Sequence, residues 1–341
     1  MKNTQTIPSG RYVVFSNAQG DDLSLKNFLE VTEGMRKKGY ICLGDVSPAA
    51  LIHGAFHLHE IRKKAPYFVR GNHEQKFLND KETREELPEA VSYLKSLPEV
   101  IQCGDVLMYH SSLAHPGGKL LSPEEIQEEY RFLQAHYPSV RVALFGHGRQ
   151  RVFCSKNGVL TLDDKVDNAL LKLDSSALTL INPGGIRVKY YGLRQSFGLI
   201  DFDENTFRFL NLKDAERMYK LAGIVWAFEE DFMPHLNKFS YSWFSSRIKN
   251  DLPHLRKIGE SNEAVMRVAE HMAAFDMKKC LGLPPEEKTE YLDRYSLKLA
   301  QLINVVRMQV CELYSFRRDP IEAWASYRKT AKKVWYVGKF V

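Results

Sequence analysis

Five times in the first half of the chain, an apolar run of strand length stops at a short polar cluster. The segments are Tyr12-Val-Val-Phe-Ser-Asn17-Ala-Gln19, Tyr40-Ile-Cys-Leu-Gly44-Asp45, Tyr67-Phe-Val-Arg-Gly71-Asn72-His73-Glu74, Val106-Leu-Met-Tyr-His110 and Val142-Ala-Leu-Phe-Gly146-His147-Gly-Arg149. Short apolar runs bounded in this way read as buried strands, and helical patterns between them point to layered α/β architecture. The carboxyl ends of successive strands in such a sheet converge on one edge, where open α/β folds bind ligands. The polar clusters are therefore expected to meet.

The rhythm changes near residue 212. Before it, helices are expected over Leu23 to Lys38, with Leu25, Phe28, Leu29 and Met35 inward, and over Pro88 to Ser96. The run Ala177-Leu-Thr-Leu-Ile-Asn182 leads into Pro-Gly-Gly185, and Ser196–Asp201 with Thr206–Leu210 reads as a hairpin at a sheet edge. From Lys213 onward helical spacing takes over. Asn262 to Cys280 carries Val265, Val268, Ala269, Met272 and Phe275 at helical intervals, with Gly282 and Pro284 as a stop. The next helix aligns Leu292, Tyr295, Leu299, Leu302, Val306, Val310 and Leu313 on one seam, which fits packing within this chain or against a second copy.

Composition excludes several classes. With 44% hydrophobic and 26% charged residues, the 341-residue chain is ordinary for a globular protein long enough to bury two cores. No apolar stretch approaches the ~20 residues of a membrane span, and Met1-Lys-Asn-Thr-Gln-Thr6 has no signal-peptide core. A cytoplasmic protein with no membrane partner is expected. The five cysteines, Cys42, Cys103, Cys154, Cys280 and Cys311, form no Cys-x-x-Cys pair, so neither a zinc ribbon nor a disulfide framework is indicated. The net charge of +6 favours an anionic ligand only mildly. Basic residues interleave with aromatics near the end (Arg317, Arg318, Arg328, Lys329, Lys332, Lys333 and Lys339 with Trp324, Tyr327, Trp335 and Tyr336), as a solvated helix face or a nucleic-acid contact would.

The strand-end clusters resemble, in order, the motifs of the calcineurin-like metallophosphoesterases. Gly71-Asn72-His73 matches that family's Gly-Asn-His, Asp45 its Gly-Asp, His110 its lone strand-end histidine and His147 the first histidine of its Gly-His-x-His; Asn182-Pro-Gly-Gly is similar to its Asn-Pro-Gly-Ser turn. The resemblance covers roughly residues 10 to 212 and implies a layered metallophosphoesterase β-sandwich flanked by helices over residues 1–212. An all-α extension over residues 213–341 lies outside it. It implies a second-metal ligand set of Asp45, Asn72, His110 and His147, and a phosphate or leaving-group role for His73. The first metal's Asp-x-His is replaced by Asn17-Ala-Gln19, and Arg149 stands where its last histidine belongs.

The changes fall on one metal position only. Amide oxygens are weaker ligands than carboxylate and imidazole, and guanidinium offers no lone pair. One divalent metal (Mn, Fe, Zn or Ni) is therefore expected, with Arg149 either gripping phosphate in the vacated position or salt-bridged in a retired site. Three functions remain open: hydrolysis of a phosphoester with His73 and Arg149 as catalytic residues, a non-catalytic scaffold like the small subunit of retromer, and nucleic-acid processing. His53 and His57 with Glu60 could form a helical metal pair but read better as an exposed helix face, and His115 could reach substrate from the loop after His110.

Overall fold

Strict alternation of side chains along short strands requires a layer on each face, and two sheets satisfy this by facing one another. The computed structural model describes residues 9–47, 61–81, 85, 88–148, 150–161, 170–187, 194–232, 263–274 and 282–326. Its strands are β1 (Arg11–Phe15), β2 (Gly39–Cys42), β3 (Tyr67–Phe68), β4 (Val100–Cys103), β5 (Val106–Tyr109), β6 (Val142–Phe145), β7 (Arg151–Ser155), β8 (Gly158–Thr161), β9 (Leu170–Lys172), β10 (Thr179–Pro183), β11 (Ser196–Asp201) and β12 (Thr206–Asn211). The helices are α1 (Asp22–Glu33), α2 (Asn72–Asn79), α3 (Pro88–Ser96), α4 (Pro123–His136), α5 (Leu212–Ala227), α6 (Glu263–Ala273) and α7 (Pro285–Val310).

Two six-stranded sheets result, in the orders β3-β2-β1-β11-β12-β9 and β4-β5-β6-β10-β7-β8. Tyr12, Val14 and Ile41 of the first share a buried core with Met108, Val142, Leu144, Phe153 and Ile181 of the second. Residues of opposite parity face outward under helices: Phe15 meets Phe28 of α1 with ring centroids 4.8 Å apart. Leu107, Tyr109 and Phe145 pack with Ile126, Tyr130 and Leu133 of α4. This is the helix-flanked α/β sandwich expected. β1, β2 and β3 run parallel in one sheet, and β5, β6 and β10 in the other. That shared direction is what gathers their carboxyl ends.

Two expectations are corrected. The first helix stops at Glu33 rather than Lys38, because the next residues are engaged elsewhere: Met35 bridges Tyr314 and the Arg36 N–H donates to the Leu313 carbonyl at 2.7 Å. Gly34 lies under the Trp226 indole, where an added Cβ would come within 2.5 Å of the ring. The hairpin β11–β12 is interior, not an edge, because β1 pairs with β11 and the short β9 pairs with β12. Three residues of β9 are too few to carry an alternation signal. The helix over Pro88–Ser96 is formed as expected.

The chain divides into two compact units, one of Met1–Glu33 with Lys37–Ala215 and one of Gly34–Arg36 with Glu216–Val341. In the second, Trp226 stands edge-on to Tyr314 at 5.7 Å, and its Nε1 donates to the Ser315 carbonyl at 3.0 Å. α6 packs on α7, and Val265, Val268, Leu299, Val306 and Val310 are buried. Arg317 and Arg318 donate backbone N–H groups to Glu229. Residues 275–280, the basic tail from residue 327, and the segment with His53, His57 and Glu60 lie outside the described residues. Among the described residues no helix is long and apolar enough to cross a membrane.

Candidate metal centre

The turn after β2 brings Asp45 to the sheet edge through backbone that few residues tolerate. Gly44 has φ 86°, and a Cβ there would lie 2.7 Å from the Gly71 nitrogen and 2.8 Å from His110 Nδ1. Asp45 itself has φ 59°. Among the described residues five non-glycine positions have positive φ, and four are strand-end residues of this edge: Asn17 (57°), Gln19 (49°), Asp45 (59°) and His147 (60°). Such conformations cost ~1–3 kcal/mol each and persist where surrounding structure imposes them, often at functional sites.

Glu74 does much of the imposing. Its fully buried carboxylate accepts hydrogen bonds from the backbone N–H groups of Asp45, Val46, Ser47 and Gly71 at 2.7, 2.7, 2.8 and 2.8 Å. It thus ties the loop after β2 to the start of α2. Sequence reading included Glu74 in the Gly-Asn-His-Glu cluster but gave it no role. Asn182 braces the neighbouring turn in the same manner, its Nδ2 donating to the Gly146 carbonyl at 2.7 Å and its Oδ1 accepting from the Gly184 N–H at 2.9 Å.

Held in this way, Asp45, His110 and His147 present ligand atoms that all lie within 4.8 Å of one another. His110 uses Nδ1 to donate to the Leu43 carbonyl at 2.6 Å, which turns Nε2 toward Asp45 Oδ1 at 3.1 Å. This is the usual way a protein fixes the orientation of a metal-binding imidazole. The inward end of the Asn72 amide lies 2.9 Å from His147 Nδ1, 3.1 Å from His110 Nε2 and 3.3 Å from both Asp45 oxygens. Four side chains thus converge on one small volume, and an amide there can present either its oxygen to a cation or its N–H groups to the imidazoles and carboxylate. One carboxylate, one amide oxygen and two imidazole nitrogens suit a first-row divalent ion.

The electrostatics follow from this crowding. Burial pushes the Asp45 carboxyl upward, but its hydrogen bond and charge interaction with His110, together with His73, hold it well below the usual carboxylate range. Burial pulls His110 down, yet Asp45 outweighs that and leaves it raised. Burial and the charge of His110 push His147 down to about 4. His73 sits beside the same carboxylate: its backbone N–H donates to Asp45 Oδ1 at 2.9 Å, and its Nε2 is 3.9 Å from Oδ2.

The adjoining half of the edge is built differently. Gln19 Nε2 donates to Asp45 Oδ2 at 3.1 Å, while Gln19 Oε1 accepts from Arg187 Nη1 at 3.1 Å. Asn17 Nδ2 donates to Ser16 Oγ at 2.8 Å, and its buried Oδ1 has no hydrogen-bond partner. Arg187 escaped sequence reading; the available signal was its place shortly after the Asn182-Pro-Gly-Gly turn. Arg149 lies outside the described residues. His115, 55% exposed at its side chain, pairs with Glu128 at 3.1 Å.

With this geometry in hand, comparison with known proteins is informative about fold. No family model and no curated protein matches the chain. Among solved structures it is similar to a metallophosphoesterase from Sphaerobacter thermophilus, with 20% identity and a TM-score of 0.50 over 65% of this chain and 94% of that one. Weaker similarity extends to an archaeal phosphodiesterase (15% identity, TM-score 0.35, 59% of this chain and 99% of that one). It also extends to Vps29 of Chaetomium thermophilum (18% identity, TM-score 0.31, 56% and 81%). The chain has a calcineurin-like metallophosphoesterase fold.

Proposed function

We propose that residues 1–212 form a single-metal phosphoesterase domain, joined to a helical domain over residues 213–341, in which Asp45, Asn72, His110 and His147 hold one divalent ion at the binding site of a phosphate ester. The observation carrying this reading is that ligand atoms of Asp45, His110 and His147 all lie within 4.8 Å of one another, with the Asn72 amide in the same space. Such an ion supplies Lewis acidity toward a phosphoryl oxygen and toward water. His73, 17% exposed beside Asp45, is placed to give a proton to the departing ester oxygen. The Leu43 carbonyl keeps the His110 lone pair aimed inward, and Glu74 keeps Asp45 from relaxing out of its turn.

A second reading has its own support. Two-metal sites clamp both the attacking and the leaving oxygen, and a single ion does part of this. Gln19, bonded on one side to Asp45 and on the other to Arg187, stands at the position of a first-metal ligand, which favours a module that binds a phosphate-bearing ligand without hydrolysing it. Incubating manganese-loaded protein with nitrophenyl phosphate mono- and diesters separates the two. Metal-dependent nitrophenol release that falls sharply in His73→Ala supports the enzyme; phosphate binding with no release supports the non-catalytic module.

A further inference from the structure

We propose that Arg187, hooked through Gln19 to Asp45, replaces the first metal ion as the fixed positive charge that grips the phosphoryl oxygens of the ligand; this rests on the phosphate-site reading above.

The placement is specific. After β10 the Asn182-Pro-Gly-Gly turn, with Gly184 at φ 87°, carries the chain back beside the end of β1. There the Ile186 N–H donates to the Ser16 carbonyl at 3.2 Å and the Arg187 N–H to the Asn17 carbonyl at 3.3 Å. Gln195 braces the same stretch from outside, its Nε2 donating to the Ile186 carbonyl at 2.7 Å. The backbone of Arg187 is therefore set against the strand end that carries Asn17 and Gln19. Its guanidinium then donates to Gln19 Oε1, and Gln19 donates in turn to the same carboxylate that faces His110. Arg187, Gln19, Asp45 and His110 form one continuous chain of contacts across the edge.

Chemistry explains why Gln19 suits this task. A histidine there would present a lone pair to a metal; a glutamine presents an oxygen to a cation on one side and an N–H to a carboxylate on the other. It can bridge Arg187 to Asp45 without adding charge. A planar guanidinium has donors enough to hold an amide oxygen on one edge and phosphoryl oxygens on another. Asn17 adds a complementary feature, since its Oδ1 is fully buried without a donor. A water or a protonated phosphate oxygen reaching this edge would satisfy it.

The test titrates inorganic phosphate into manganese-loaded protein by calorimetry, with metal content and melting temperature measured on the same samples. Wild type binds phosphate, Arg187→Ala binds it about tenfold or more weakly with metal content unchanged, and Arg187→Lys recovers part of the loss. Gln19→Leu keeps the arginine but unhooks it, and is expected to weaken phosphate binding several-fold; it serves also if Arg187→Ala does not fold. Unchanged affinity in both Arg187→Ala and Gln19→Leu overturns the proposal, as does a loss confined to the comparator Arg149→Ala. A metal-loaded wild type that binds no phosphate instead refutes the phosphate site itself, and the two failures are told apart by which protein shows them.

Discussion

The two halves of the strand-end edge contrast in how they treat positive charge. On one side Asp45, Asn72, His110 and His147 gather around a common centre, and the turns that carry them are tied by backbone partners: the Leu43 carbonyl, the four N–H groups around Glu74, the Gly146 carbonyl under Asn182. On the other side Asn17 and Gln19 occupy the corresponding turn after β1, and a positive charge of the chain itself, Arg187, is bonded to Gln19. Left-handed backbone is retained in both halves, at Asp45 and His147 in one and at Asn17 and Gln19 in the other. The two halves thus share a backbone conformation while differing in side-chain chemistry. A strained turn is a property of the fold, whereas metal affinity depends on the side chains placed upon it.

This contrast leads to the expectation that the Asp45–His147 half is the more costly to disturb. Glu74→Ala removes one carboxylate and leaves four buried N–H groups without their acceptor, so unfolding free energy should fall by about 3 to 5 kcal/mol. Gln19→Ala in the other half removes two hydrogen bonds to charged partners, the Asp45 carboxylate and the Arg187 guanidinium, but leaves both of those groups other hydrogen-bonding contacts or charges nearby, and a loss of about 1.5 to 3 kcal/mol is expected. Urea denaturation of both variants measures the difference directly. Equal losses would break the distinction between a clamped half and an adaptable one.

A smaller effect, outside both halves, calibrates how far pH responses can be ascribed to the site. His271 of the helical unit stacks on Tyr295 at 3.9 Å and hydrogen-bonds the Tyr295 carbonyl at 3.1 Å. Burial lowers its pKa, outweighing that hydrogen bond. A histidine with a depressed folded pKa binds its proton more readily when unfolded, so its contribution is intact above the ordinary value near 6.5 and is lost as pH falls through the folded value. The melting temperature should therefore drop between pH 7 and pH 5, and the drop should be shallower in His271→Gln. An identical profile in that variant would assign the acid response to other groups, such as His147, whose pKa is also depressed.

How much of this was legible in the sequence follows from what each residue's role depends on. The strands ending at Asp45, His110 and His147, and the helix Pro88–Ser96, are local patterns of apolar spacing and could be read directly. Glu74 stood in plain view beside Asn72 and His73, yet its work is done on backbone N–H groups near residue 45, and no side-chain motif advertises that. Arg187 was hidden for a similar reason: its partner Gln19 is distant in sequence, and only the Asn182-Pro-Gly-Gly turn brings them together. The early end of α1 at Glu33 depends likewise on Tyr314 and Trp226, which helical periodicity cannot see.

Metal stoichiometry tests the central claim most directly. The wild-type chain, purified, exposed to excess manganese or zinc and desalted, should retain about one equivalent by elemental analysis, because only one half of the edge presents a full donor set. The double variant His110→Ala with His147→Ala should retain almost none. Two tightly held ions per wild-type chain would contradict the account, since the second would have to sit among Asn17, Gln19 and Arg187, where the protein places amides and a cation of its own.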